Sequence, residues 1–136
     1  MHFELVIGED FSTDSTREIC ERYADKYPHM VKLLPSKRNL GMMQNFVRTL
    51  KVCKGKYIAV CEGDDYWTDC RKLQKQFELL ENNSDVNLCF HCCKEWEELN
   101  GNLTDVPGFK RDHYTFFDFA ERGCFIHTCS IMFRNS

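Results

Sequence analysis

Residues 57–67 read Tyr57-Ile58-Ala59-Val60-Cys61-Glu62-Gly63-Asp64-Asp65-Tyr66-Trp67. The first five form a short apolar run, typical of a buried parallel strand. A helix-start signal, Thr68-Asp69, follows, so two adjacent carboxylates are expected where a strand has ended and a helix has not begun. That edge of an open α/β sheet is where ligands bind. Asp64 and Asp65 therefore have two interpretations: oxygen ligands for Mn²⁺ or Mg²⁺, or a solvated turn.

The rest of the chain continues this alternation of strands and helices. Further strands are predicted at 3–7, 31–34 and 86–93, and amphipathic helices follow the first two of them. A third helix is predicted over about 70–81, a hairpin turn at Asn100-Gly101-Asn102, a short helix over 114–120 and a last strand over 128–133. The order predicts one α/β domain, residues 1–136, built on a mainly parallel, helix-flanked sheet.

Composition narrows the possible partners and location. The chain has 136 residues, a net charge of −3 and no cluster of lysines and arginines, which argues against a nucleic-acid partner. No apolar run approaches the roughly 18 residues of a transmembrane segment, and no signal peptide opens the chain. We therefore expect a cytoplasmic protein, with peripheral association at the inner face of the membrane left open. The oligomeric state is open as well.

Nine cysteines are a high count for a chain of this length. Without a secretory signal they are expected to be reduced thiols, mostly small core residues. One group surrounds His91, and Cys124, His127 and Cys129 form another. Neither has the paired spacing of a structural zinc site, but a zinc-binding interaction domain stays an alternative.

A second acidic pair, Glu9-Asp10, follows the first predicted strand. Together with Asp64 and Asp65 it would concentrate up to four negative charges, which a cation or hydrogen-bond donors must offset. The chain lacks both the phosphate-binding loop of P-loop nucleotidases and the glycine fingerprint of dinucleotide enzymes. A nucleotide diphosphate held with a divalent metal fits what remains.

Several motifs occur in the order of a known family: Glu9-Asp10 with Ser12 and Asp14, Asn39-Leu40-Gly41, Gly55-Lys56-Tyr57-Ile58, Gly63-Asp64-Asp65-Tyr66-Trp67, Lys72-Leu73 with Gln76, and Cys129-Ser130-Ile131-Met132-Phe133-Arg134. In this order they closely resemble family-two glycosyltransferases of the GT-A fold. The resemblance covers essentially the whole chain. It implies a Rossmann-like nucleotide-binding core and a nucleotide-sugar donor, a UDP-sugar. It also implies inverting, metal-assisted transfer to an acceptor that is a saccharide or lipid-linked and otherwise unknown.

The resemblance also implies roles for single residues. Asp10 matches the carboxylate that hydrogen-bonds uracil, and Arg38 and Asn39 lie in a loop that borders the nucleotide. Asp64 and Asp65 match the acidic pair, the first near the ribose and the second a ligand of Mn²⁺ or Mg²⁺.

The chain departs from the family pattern at both ends. By resemblance, another strand and helix precede Phe3, so the first strand of the sheet is expected to be missing. The catalytic base is expected beyond Ser136, so none is assigned. A catalytically incompetent module that binds nucleotide or a partner is therefore the alternative function.

Overall fold

The computed structural model describes residues 2–123 and 125–135. The regular elements in these residues are, in chain order, β1 (Leu5–Ile7), α1 (Thr16–Lys26), β2 (Val31–Leu33), α2 (Met42–Leu50), β3 (Tyr57–Ala59), α3 (Lys72–Asn82), β4 (Leu88–Cys89), β5 (Lys94–Glu97), β6 (Asn102–Asp105), α4 (Phe116–Arg122), a 3₁₀ helix (Thr128–Ser130) and β7 (Met132–Arg134). The chain divides into two compact units: residues 2–58 together with Asn135, and residues 59–134. No helix in the described ranges combines the length and apolar character needed to cross a bilayer.

The first unit is built around a parallel strand pair. β1 and β2 align Leu5 with Val31 and Ile7 with Leu33. α1 forms the connection between the two strands and lies against β2. Parallel neighbours require such a crossover, so the predicted strand–helix–strand order is confirmed here.

The apolar stripes predicted for α1 and α2 are present but largely uncovered. On α1, Tyr23 is 54% exposed, and no described residue of that helix is buried. On α2, Met42 is 76% exposed and Met43 is 64% exposed. The helical spacing of the apolar residues was therefore predicted correctly. The expectation that the apolar faces of α1 and α2 are buried was wrong.

A close approach of backbone to helix fixes α2 against the end of β1. A Cβ added at Gly8 would lie 1.9 Å from Oγ1 of Thr49. The Asn45 side-chain amide donates to the carbonyl of Gly8 at 2.5 Å, and the Thr49 hydroxyl donates to the carbonyl of Asn45 at 2.7 Å. Only glycine leaves room for this contact.

The second unit has its own small sheet and core. β4 and β7 pair antiparallel, with Leu88 opposite Phe133, and the strand order is β3-β7-β4. Next to β3, the Val60 amide donates to the carbonyl of Ile131 at 3.4 Å. α3 packs on β4 and β7 and fully buries Leu80. The third helix predicted over about 70–81 is therefore confirmed, and Leu80 near its end is its fully buried apolar residue.

Beyond β4, the second unit continues as a hairpin and an aromatic cluster. β5 and β6 pair antiparallel around Gly101, whose φ of +69° suits a glycine, so the predicted hairpin turn is confirmed. Five aromatic rings then pack together after β4: Phe90, Phe109, Tyr114, Phe119 and Phe125.

The prediction of a mainly parallel sheet needs correction. Among the described residues, β1–β2 is a parallel pair, whereas β4–β7 and β5–β6 are antiparallel. The predicted strand at 86–93 is reduced to Leu88–Cys89, and the one at 128–133 splits into the 3₁₀ helix and β7. The architecture is α/β with small sheets. The predicted strand direction was wrong in the second unit, because β7 pairs antiparallel with β4, a strand far away in the chain.

Candidate functional site

In the first unit, the Asp10 carboxylate holds the loop that follows β2. One of its oxygens accepts the Leu40 amide and the other accepts the Gly41 amide, both at 2.8 Å. The Asn39 side-chain oxygen also accepts the Gly41 amide, at 2.9 Å. Gly41 has a φ of +83°, which favours glycine, and Phe11 next to Asp10 has a φ of +64°. The structure thus brings together Asp10 and Asn39, two residues predicted to bind nucleotide.

Glu9, the neighbour of Asp10, points into the protein. It is 5% exposed, accepts the Ser12 amide at 2.5 Å and lies 3.4 Å from the Arg17 guanidinium. Burial favours the neutral acid, but the hydrogen bonds from Ser12 and Arg17 outweigh it and lower the pKa of Glu9. Hydrogen-bond donors of the protein therefore offset the charge of Glu9, which is one of the two possibilities expected from the sequence. This carboxylate is not available to a ligand.

Arg48 ties the ends of β1 and β2 together. Its guanidinium donates to the carbonyl of Glu9 at 3.0 Å, to the carbonyl of Pro35 at 2.7 Å and to the Asn45 side chain at 2.8 Å. Sequence reasoning missed Arg48. The available signal was a polar stripe on α2, because Asn45 and Arg48 lie three residues apart and so share one face of the helix.

Arg38 lines a shallow groove of about 400 Å³ in the same unit, with Pro35, Lys37, Leu40 and Arg48. Arg38 and Asn39 are both exposed. Three of the five lining residues carry a positive charge at neutral pH. The surface of the groove itself is mainly apolar, and the Arg48 guanidinium already donates to three acceptors of the protein.

In the second unit, Asp64 and Asp65 lie on a tight turn after β3. The Asp65 amide donates to the carbonyl of Glu62 at 3.2 Å, and both aspartates are exposed. Two exposed neighbouring carboxylates supply the hard oxygen ligands that Mn²⁺ and Mg²⁺ prefer. Within the described ranges, no group of three or more His, Cys, Asp or Glu side chains is placed to hold a metal ion. A metal ion held by Asp64 and Asp65 would need its other ligands from a bound diphosphate or from water.

A layer of packed side chains, formed by Trp67, Lys72 and Gln76, supports this acidic turn. The Trp67 indole donates to the carbonyl of Cys129 at 2.9 Å, and the Lys72 ammonium lies 4.2 Å from the centre of the indole ring. Lys72 also donates to Gln76 at 2.7 Å, and Gln76 donates to the carbonyl of Ser130 at 2.8 Å. Burial lowers the pKa of Lys72. Trp67 is thus packed within the second unit, whereas Tyr66 beside it is 59% exposed.

Four cysteines of the second unit interact with the charge of Lys72: Cys61, Cys89, Cys93 and Cys129. Among the described cysteines only Cys89 is buried, so the expectation that most of them are core residues was wrong. Burial raises the pKa of the Cys129 thiol well above its ordinary value, and the carboxylate of Asp65 adds to the rise. The sulfurs of Cys93 and Cys129 are 3.9 Å apart. Cys124, which the zinc interpretation invoked, lies outside the described residues.

Comparison with known proteins identifies the family. The sequence profile described as Glycosyl transferase family 2 matches residues 1–136. This chain belongs to glycosyl transferase family 2. The resemblance stated from the ordered motifs is thereby confirmed, and the α/β architecture agrees with it.

Several known proteins are similar in sequence to this family-two chain. An uncharacterised protein of Mycobacterium tuberculosis is 34% identical over 131 residues, which cover 96% of this chain and 38% of that protein. An uncharacterised glycosyltransferase of Methanocaldococcus jannaschii is 30% identical over 112 residues, 82% of this chain and 37% of that protein. The dTDP-rhamnosyl transferase RfbG of Shigella flexneri is 28% identical, with 88% of this chain and 43% of that protein covered. The family-two chain thus spans well under half the length of these relatives.

Proposed function

We propose that this chain is the donor-binding region of a metal-assisted, inverting glycosyltransferase that uses a UDP-sugar. The observation that carries the proposal is the exposure of Asp64 and Asp65 on their turn. Trp67, which follows the turn, is anchored because its indole donates to the carbonyl of Cys129. A rigid turn keeps both carboxylates available to a ligand, as a binding site requires. Family membership favours a transferase over the non-catalytic module.

In this proposal the first unit recognises the nucleotide. Asp10 uses one lone pair on each oxygen for the Leu40 and Gly41 amides, and a carboxylate has about four such positions, so it can also accept the N3–H of uracil. Arg38 and Asn39 border the nucleotide. Both residues are exposed, as contact with a ligand requires.

In the second unit, Asp65 would hold Mn²⁺ or Mg²⁺ on the diphosphate, and Asp64 would lie near the ribose and assist. When bound, the metal ion supplies charge stabilisation for the leaving diphosphate. The acceptor, a saccharide or lipid-linked molecule, would be deprotonated and would attack the anomeric carbon from the opposite face. We assign no residue of this chain as the base for that step.

The name of the Shigella flexneri relative raises the question of which pyrimidine is bound. Thymine presents the same N3–H and carbonyl oxygens as uracil and adds a methyl group. Asp10 could therefore accept a hydrogen bond from either base. We propose UDP as the preferred nucleotide, and dTDP is the informative comparison.

The proposal is tested by calorimetric titration of UDP and dTDP, each with and without Mn²⁺. We expect UDP binding that requires the metal and is lost in Asp65→Ala. Asp85→Ala, which removes another exposed carboxylate of the second unit, is the matched control and should bind like the wild type. UDP binding without metal, or equal loss in both variants, would contradict the metal site. Equal or tighter binding of dTDP would contradict only the choice of UDP.

A further inference from the structure

Cys93 and Cys129 form a close thiol pair in the second unit. Their sulfurs are 3.9 Å apart, although 36 positions separate them in the chain. Both thiols are partly exposed, whereas Cys89 is buried. Small oxidants can therefore reach the pair, which is a condition for selective thiol oxidation.

We propose that Cys93 and Cys129 are a reversible oxidation site, which closes to a disulfide on reaction with a hydroperoxide. The site is independent of the proposed function, and no comparison with a relative suggests it. To reach bonding distance, the two sulfurs must approach by about 2 Å. A change in side-chain torsion angles can supply a movement of this size, so the backbone of the sheet need not rearrange.

The reaction balances in two steps. The Cys93 thiol attacks one oxygen of hydrogen peroxide, giving a sulfenic acid at Cys93 and releasing water. The Cys129 sulfur then attacks the sulfenic sulfur, the S–S bond forms, and a second water leaves with the hydroxyl group and the Cys129 proton. The same disulfide results whichever of the two thiols is oxidised first. A dithiol reductant such as dithiothreitol reverses the reaction.

The disulfide would cross-link the two ends of a long segment. It joins the residues after β4 to the 3₁₀ helix Thr128–Ser130 before β7. Cross-linking residues so far apart in the chain restricts the unfolded state and raises thermal stability. The cross-link also lies beside the acidic turn, because the carbonyl of Cys129 accepts the Trp67 indole.

The test starts from fully reduced protein, which is exposed to one equivalent of hydrogen peroxide and then alkylated. Non-reducing peptide mass spectrometry should find one pair of peptides joined through Cys93 and Cys129, lighter by two hydrogen atoms than the free peptides and separated again by dithiothreitol. Cys93→Ser should abolish the cross-link. Cys92→Ser is the matched control, because Cys92 is the exposed neighbour in the same peptide, and it should leave the cross-link intact.

A second measurement does not depend on peptide recovery. The melting temperature of the wild type should rise on oxidation and fall back on reduction, whereas that of Cys93→Ser should stay unchanged by oxidation. Cross-links through Cys92 or Cys61, links between two chains, or alkylated thiols at both positions after peroxide would each overturn the proposal. Oxidation of Cys93 to sulfinic acid without a disulfide would overturn it as well.

Discussion

Glu9 and Asp10 are neighbours in the chain, but the fold gives their carboxylates different partners. Glu9 is buried and accepts hydrogen bonds from Ser12 and Arg17, whereas Asp10 binds two amides of the loop at Leu40 and Gly41. Glu9 is thus directed into the unit and Asp10 towards the loop after β2. Glu9 therefore stabilises the unit, and Asp10 shapes the loop proposed to border the nucleotide.

We predict that Glu9→Gln destabilises the protein by about 1–2 kcal/mol near neutral pH, because the amide replaces charge-assisted hydrogen bonds with weaker ones. The pKa of Glu9 is lowered in the folded state, so the ionised carboxylate contributes fully above the ordinary pKa of about 4.3. Its contribution is lost as the pH falls through the folded pKa. Urea denaturation of both proteins over a pH series measures the difference.

Glu21→Gln is the control for this prediction, because Glu21 also pairs with Arg17 but its side chain is 54% exposed. An exposed pair of this kind contributes less than about 1 kcal/mol. Equal losses in the two variants would contradict the role assigned to burial. A loss in Glu9→Gln that stays constant into acid would contradict the role assigned to its charge.

At the scale of elements, the contact between α2 and the end of β1 depends on Gly8. We predict that Gly8→Ala costs about 1–3 kcal/mol, because the new methyl group would overlap the hydroxyl of Thr49. Adding Thr49→Ala should recover part of the loss, since the overlapping oxygen is gone. Urea denaturation of the single and double variants gives the coupling energy.

Gly63→Ala is the matched control, because no atom lies within 4 Å of a Cβ added at Gly63. It should leave stability nearly unchanged. Additive effects of Gly8→Ala and Thr49→Ala, with no recovery in the double variant, would show that the close approach does not determine the cost.

Local patterns explain which elements could be predicted from the sequence. The spacing of Leu73, Phe77 and Leu80 predicts α3, and Asn100-Gly101 predicts the hairpin, because each signal lies within one element. The exposure of the α1 and α2 stripes could not be predicted, because periodicity shows which face is apolar and not what covers it. The direction of β7 depends on pairing with β4, more than forty positions away, which no local signal encodes.

The candidate site also has features that the sequence predicts and features that it does not. Motif order was sufficient to place Asp10, Asp64 and Asp65 at strand ends and to indicate the family. The partners of these residues were not predictable, because the amides that Asp10 binds lie 30 and 31 positions further along the chain. Arg48 was missed for a related reason: two of its three acceptors are backbone carbonyls, which carry no residue-specific signal.

At the scale of the whole molecule, arginines in each compact unit donate to carbonyls at or near the ends of its elements: two in the first unit and one in the second. In the first unit, Arg17 donates to the carbonyl of Leu34 and Arg48 to that of Pro35. In the second unit, Arg134 donates to the carbonyls of Leu80, Asn83 and Val86. Carbonyls in the last turn of a helix lack intrahelical partners, and a guanidinium can serve several of them at once.

We predict that Arg134→Lys destabilises the protein by about 2 kcal/mol, because an ammonium at the end of a flexible stem cannot reproduce the planar fork that reaches three carbonyls. Arg71→Lys is the control, since Arg71 is an exposed arginine of the same unit, and its stability should stay close to that of the wild type.

Hydrogen exchange followed by mass spectrometry locates the effect of Arg134→Lys. Amides of α3 and β4 should exchange faster in Arg134→Lys, because the carbonyls released by the substitution belong to the end of α3 and the approach to β4. Wild-type exchange rates in these two elements, or equal destabilisation by Arg71→Lys, would show that Arg134 does not close the second unit.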